Sequence, residues 1–247
     1  PDNNIKMETI ITLKEFAEIE DLVGIFIPEK NSIKIQFTTE TPPELPYYII
    51  CKDNVLKVQG NIPIVYNIEN LLGKYLADEQ LIKIYLQGIA LVNRELNISQ
   101  HDLMIIVLIH EIGHYYSHKV DISGVGSQWN IDFYKESDFW VHEYLAQMFT
   151  SYCLKNNIGL CESFLKLAQH QSEEYRTFHG SRDLEIETFN NLIEYLRELN
   201  RISNKEDIGI CLYDRYFHAK IKEDHMRYKG FRVFLDSNMF KELKHFD

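Results

Sequence analysis

Ser99-Gln100-His101-Asp102-Leu103-Met104-Ile105-Ile106-Val107-Leu108-Ile109-His110-Glu111-Ile112-Gly113-His114-Tyr115-Tyr116-Ser117-His118 is the stretch on which the reading of this chain turns. Ser99 followed three residues later by Asp102 is a capping-box pattern, and the apolar run from Leu103 to Ile109 continues into a helix expected to reach about His118. On an α-helix, residues four apart share a face about one turn apart, so His110 and His114 present two imidazoles to one metal ion. Glu111 then lies beside the metal without binding it, placed to accept a proton from a water and deliver it to a leaving group. Ten histidines and 23 glutamates in 247 residues predict on the order of 0.04 chance occurrences of this motif. The apolar setting sharpens the reading, because ring nitrogens and a carboxylate are costly to bury without partners, and a metal supplies them.

Two ligands do not hold a catalytic zinc, so a third is needed. His118 lies about 12 Å of helical rise from His110, too far for both to reach one ion bonded at ~2.1 Å unless the helix breaks. The segment also lacks the glycine and histidine that metzincins place after this motif. Downstream, Asp138 to Leu154 reads as a second helix containing His142-Glu143-Tyr144-Leu145-Ala146-Gln147. Packed across the first, such a helix aims one side chain at the ion, and the small Ala146 permits close approach. His142 and Glu143 are about 100° apart around the helix, so only one of them faces the metal.

Taken together, the two segments resemble the gluzincin zinc peptidases, of which thermolysin is the best-known form. They are especially similar to small bacterial peptidases of the ImmA/IrrE type, which have a Glu-x-x-Ala-Asn-like helix soon after a His-Glu-x-x-His helix. The resemblance covers roughly residues 71–155. It implies a zincin-like fold, one Zn2+ ion held by His110, His114 and Glu143, Glu111 as general base, and hydrolysis of peptide bonds in a peptide or protein substrate. Gln147 takes the position where the family has Asp or Asn supporting a ligand histidine. It can accept a hydrogen bond but adds no charge. The contrasting expectation is a structural or interaction protein that keeps zinc without turnover, against which the intact Glu111 argues.

Upstream, β-branched and aromatic runs at Ser32–Thr38, Tyr47–Cys51 and Val55–Val58 read as strands, separated by the Pro-rich stretch 41–46 and by Asp53-Asn54. A short helix is expected over Leu13–Val23. Leu71–Leu76 and Leu81–Leu86 read as a hairpin around Ala77–Gln80, with Ile82, Ile84 and Leu86 on one face. By the zincin resemblance, Leu81–Leu86 is also expected to offer an exposed edge to which a substrate backbone adds. Helices are expected at Gly159–Tyr175 and Asp183–Leu199, the latter with an apolar stripe of Phe189, Leu192, Ile193 and Leu196. The expected fold is therefore α+β: a small, mainly antiparallel sheet, an active-site helix and a helical C-terminal half. Its parts are a β-rich region over 1–70, a catalytic core over 71–155 and a mainly helical region over 156–247, together one compact unit.

The remaining signals bound the function. The formal charge of -11 repels phosphate backbones and anionic lipid, so neither nucleic acid nor membrane is an expected partner. Cys51, Cys153, Cys161 and Cys211 form no C-x-x-C pair and read as reduced core thiols. With no basic segment followed by an apolar core at the start, a cytoplasmic location is expected, although a mature secreted chain reads the same way. Tyr115, Tyr116, Tyr175, His179, Tyr213, Tyr216 and His218 are candidate donors to a tetrahedral oxyanion. The loop 121–136, with Trp129, Phe133 and Tyr134, is a candidate cleft wall. Asp214–Arg232, with six Lys/Arg against three Asp/Glu, is a candidate grip for an acidic partner, set against a solvated face.

Overall fold

A computed structural model describes residues 10–24, 27, 33–42, 48–50, 56–58, 72–122, 128–136, 139–171, 175, 186, 187, 189–191, 193, 194 and 197. In chain order the elements are β1 (Ile10–Thr12), a 3-10 turn (Leu13–Glu15), α1 (Ala17–Val23), β2 (Lys34–Thr38), β3 (Tyr48–Ile50), β4 (Leu56–Val58), β5 (Gly73–Leu76), β6 (Leu81–Tyr85), α2 (Leu86–Leu96), α3 (Gln100–Lys119), α4 (Ile131–Glu136), α5 (Phe139–Leu154) and α6 (Ile158–Ala168). Residues 186, 187, 189–191, 193, 194 and 197 are also helical. The described residues divide into two compact units, one drawn from Pro1–Ile112 with Asn156–Ser172 and one from Gly113–Lys155 with Glu173–Asp247.

The first unit is α+β. Its four-stranded sheet has the order β1-β2-β6-β5. The outer pairings, β1 with β2 and β5 with β6, are antiparallel, but the central β2–β6 pairing is parallel. The sheet is thus mixed, with two of its three pairings antiparallel as expected and a parallel one at its centre. Alternation along a strand tells which face is buried and nothing about the direction of its partner, and a parallel neighbour needs a long crossover that leaves no local signature. The expected hairpin is present, closing through 77–80 with Gln80 in the left-handed region at φ 50. Ile35, Ile82 and Ile84 are fully buried. β3 and β4 pair as a separate two-stranded sheet.

Because β6 pairs with β2 on one side and β5 on the other, Leu81–Leu86 offers no free edge to a substrate. Among the described strands the edges of this sheet are β1 and β5. Leu86 is not in the strand at all; it opens α2, a helix absent from the sequence expectations. Gly88, Ile89, Leu91, Val92 and Leu96 form its buried face. Its N-terminus follows Tyr85, which makes no side-chain cap, so the start leaves no capping signal to read; its end is marked by Asn97 at φ 50.

α3 begins as expected: the Asp102 N–H donates to Ser99 Oγ at 3.0 Å, while Asp102 Oδ2 accepts from Ser163 Oγ of α6 at 2.7 Å. Residues 105–118 are buried without interruption, as are 141–151 of α5. Helices enclosed on every side need no amphipathic stripe, which is why both read as near-continuous apolar runs. α6 ends earlier than the expected Tyr175, and Asn157 caps its start by accepting from the Leu160 N–H. No described helix is long and apolar enough to cross a membrane.

Candidate metal centre

His110 and His114 sit one turn apart on the unbroken α3, and Glu143 comes from α5. Each of the three is buried, and one ligand atom from each lies within 4.8 Å of the others. His114 Nε2 and Glu143 Oε1 are 3.5 Å apart. Ligands bonded at ~2.1 Å around a tetrahedral ion stand about 3.4 Å from one another, so this group fits a metal and could hold one.

The reason Glu143 reaches the histidine helix lies one position from His114. A Cβ on Gly113 would stand 2.9 Å from Ala146 Cα, 3.1 Å from the Ala146 carbonyl oxygen and 3.1 Å from Phe149 Cβ. A glycine on α3 thus faces the alanine on α5, and the two backbones touch with almost nothing between them. Ala146 is the half of this contact expected from sequence; Gly113, the other half, carries no signal there that sets it apart.

Glu111 is buried on α3, pressed against β5. A Cβ on Gly73 would lie 3.1 Å from Glu111 Oε1 and 2.7 Å from Val107 Cγ1, so the bare backbone of the strand leaves the carboxylate its space. Tyr85, at the end of β6, is a further neighbour. Burial, then the nearby charges of Glu40 and Glu111, hold its hydroxyl above the usual phenol range, so it stays a proton donor. Nothing distinguishes Tyr85 from the other fourteen tyrosines by residue type; its place beside Glu111 depends on strand pairing.

His118 and His142 are not in the metal group. The His118 ring stacks on Tyr134 at 4.4 Å, and His142 Nε2 lies 2.8 Å from the Tyr134 carbonyl oxygen. Burial, reinforced by His114, pushes the His142 imidazole down to about 4. It is therefore neutral near pH 7, with Nε2–H donating to that carbonyl. The Trp129 ring packs against both Tyr134 and His142, and the Trp129 backbone N–H donates to the His118 carbonyl at 3.0 Å. Within the expected cleft wall, residues 128–136 are thus anchored by the buried Trp129 and Tyr134 and contain α4, whose start is capped by Asn130.

Gln147 is buried one turn beyond Glu143. Among the candidate oxyanion donors, Tyr115, Tyr116 and Tyr175 are buried, and the Tyr116 hydroxyl donates to Asn190 Oδ1 at 2.7 Å. Burial raises that hydroxyl to about 12. His179, Tyr213, Tyr216 and His218 lie outside the described residues, as does the basic stretch Asp214–Arg232. No protein-family model, curated protein or solved structure matches the chain.

Proposed function

We propose that the chain is a zinc metallopeptidase of gluzincin type on a zincin-like fold, with peptides or proteins as substrate. The observation that carries this reading is the convergence of His110, His114 and Glu143 from two helices, with the Glu111 carboxylate on the next position of the same helix. Two imidazoles and one carboxylate are a ligand set suited to zinc. Zinc bound there supplies Lewis acidity toward a carbonyl and lowers the pKa of its water.

The chain's own groups do the rest. Glu111 takes a proton at its carboxylate and returns it to the leaving amine; its burial against Gly73 limits its freedom to swing away. Tyr85, held protonated within electrostatic reach of Glu111, is a candidate hydrogen-bond donor on that side. β5 is the edge strand that passes Glu111, which makes it, in place of β6, the strand along which an extended peptide would lie.

Burial of all three ligands also suits the second reading, a zinc site that only holds the fold together. Glu111→Gln separates the two. A peptidase keeps stoichiometric zinc in this variant and loses roughly 10²–10⁴-fold in cleavage rate, measured on a substrate the wild type cuts. Unchanged cleavage removes Glu111 as the base, and a folded, zinc-loaded wild type that cuts no protein in a lysate from its source cell leaves the structural reading.

A further inference from the structure

We propose that Arg197 is a positioning residue for the metal ligands, so that docking of the segment that carries Phe189, Asn190, Glu194 and Arg197 and metal binding reinforce each other; this rests on the metal reading above. The last carbonyls of an α-helix have no partner within the helix. At the end of α3 Arg197 supplies one. Its Nε donates to the Ser117 carbonyl at 3.1 Å, and its NH2 donates to the carbonyls of Ser117 at 2.8 Å, Val120 at 2.9 Å and Tyr116 at 3.4 Å. Its NH1 pairs with Glu194 at 3.4 Å. The guanidinium is buried, and a buried cation is tolerated only where its donors are satisfied together, so the segment is either docked or not.

This cap acts on the turn that begins at a ligand. Ser117 Oγ donates back to the His114 carbonyl at 3.0 Å, and the Ser117 carbonyl is the one Arg197 grips twice. The same segment also reaches the other ligand helix. Phe189 stacks on Tyr116 of α3 at 6.1 Å and lies 6.4 Å from Phe149 of α5. Phe149 is itself one of the groups facing Gly113 at the helix crossing. Asn190 ties Tyr116 through its hydroxyl. One segment, some 80 residues away in sequence from the turn it caps, therefore braces the helix of His114 and the helix of Glu143 at once. Anything that raises the population of the docked arrangement tightens the ligand set, and by reciprocity the metal tightens docking.

The test uses the full chain. Zinc affinity, by competition with a chromophoric chelator, is compared for wild type, Arg197→Met, Arg197→Lys and Asn190→Leu, together with the visible spectrum of the cobalt-substituted forms and the rate of limited proteolysis around 186–197 with and without zinc. Arg197→Met is expected to weaken zinc by roughly 10–100-fold, the range seen when groups supporting metal ligands are lost, and to alter the cobalt bands. Arg197→Lys recovers part of the affinity, Asn190→Leu shows a smaller loss of the same sign should Arg197→Met not fold, and zinc slows proteolysis of the segment. Ile35→Ala, buried in the sheet, serves as the destabilised control and keeps wild-type affinity. Wild-type affinity and cobalt bands in a folded Arg197→Met, or an equal loss in Ile35→Ala, overturns the proposal while leaving the metal site standing. A wild type that binds no zinc overturns the site itself and this inference with it.

Discussion

Gly73 carries a hydrogen where any other residue would place a carbon 3.1 Å from Glu111 Oε1, 2.7 Å from Val107 Cγ1 and 3.2 Å from the Lys83 carbonyl oxygen. The carbonyl belongs to the paired strand and cannot give way, so Gly73→Ala is expected to push against Val107 and Glu111. It should cost about 1–3 kcal/mol of stability and lower cleavage more than zinc content, read by thermal melting, metal analysis and turnover. A second residue-scale expectation concerns His142, held down to about 4 by burial and then by His114. In the unfolded chain this imidazole protonates near 6.5, so between about 6.5 and 4 the unfolded state holds the extra proton. The contribution is fully present above that window and is lost as pH falls through it, on the order of 3 kcal/mol in all. Denaturant titrations of the metal-free chain across that range should show the loss, and His142→Gln should remove it. His110, Glu111 and His114 were legible because their chemistry is written on consecutive turns of one helix. Glu143 needed the resemblance to be chosen over its neighbour His142, and Gly73 and Tyr85 were illegible because their proximity to Glu111 exists only across a paired sheet.

At the scale of elements, the crossing of α3 and α5 is where sequence becomes site geometry. Alanine is favoured over glycine inside a helix by about 1 kcal/mol, which alone would make Gly113→Ala stabilising. Against this stands a Cβ at 2.9 Å from Ala146 Cα and 3.1 Å from the Ala146 carbonyl oxygen, backbone atoms that no rotamer change can move. Overpacking of this kind costs about 1–3 kcal/mol, so separation of the helices wins. Gly113→Ala is expected to weaken zinc binding, measured by chelator competition, with a melting temperature lowered or at best unchanged. A stabilised variant with undiminished affinity would show that the crossing has slack. The long buried helices were easy to place because burial on all sides makes them uniformly apolar and Ser99 marks one start. α2 follows β6 without a capping residue to announce it, and the edge expected of β6 came from the zincin resemblance, which alternation, revealing faces and not neighbours, could not check.

For the molecule as a whole, composition and patterning were enough to anticipate an α+β chain with strands early and helices late, and the described residues bear that out. The mixed order of the sheet was out of reach, since the parallel pairing of β2 with β6 joins segments more than forty residues apart. Everything proposed for this protein depends on the ligand group that two helices bring together. Zinc content of the purified full chain, measured by elemental analysis after reconstitution, tests it for wild type, Glu143→Ala and Glu111→Gln side by side. Stoichiometric zinc is expected in wild type and Glu111→Gln, and little or none in a folded Glu143→Ala. Full zinc in Glu143→Ala, or a wild type that takes up no metal, would contradict it.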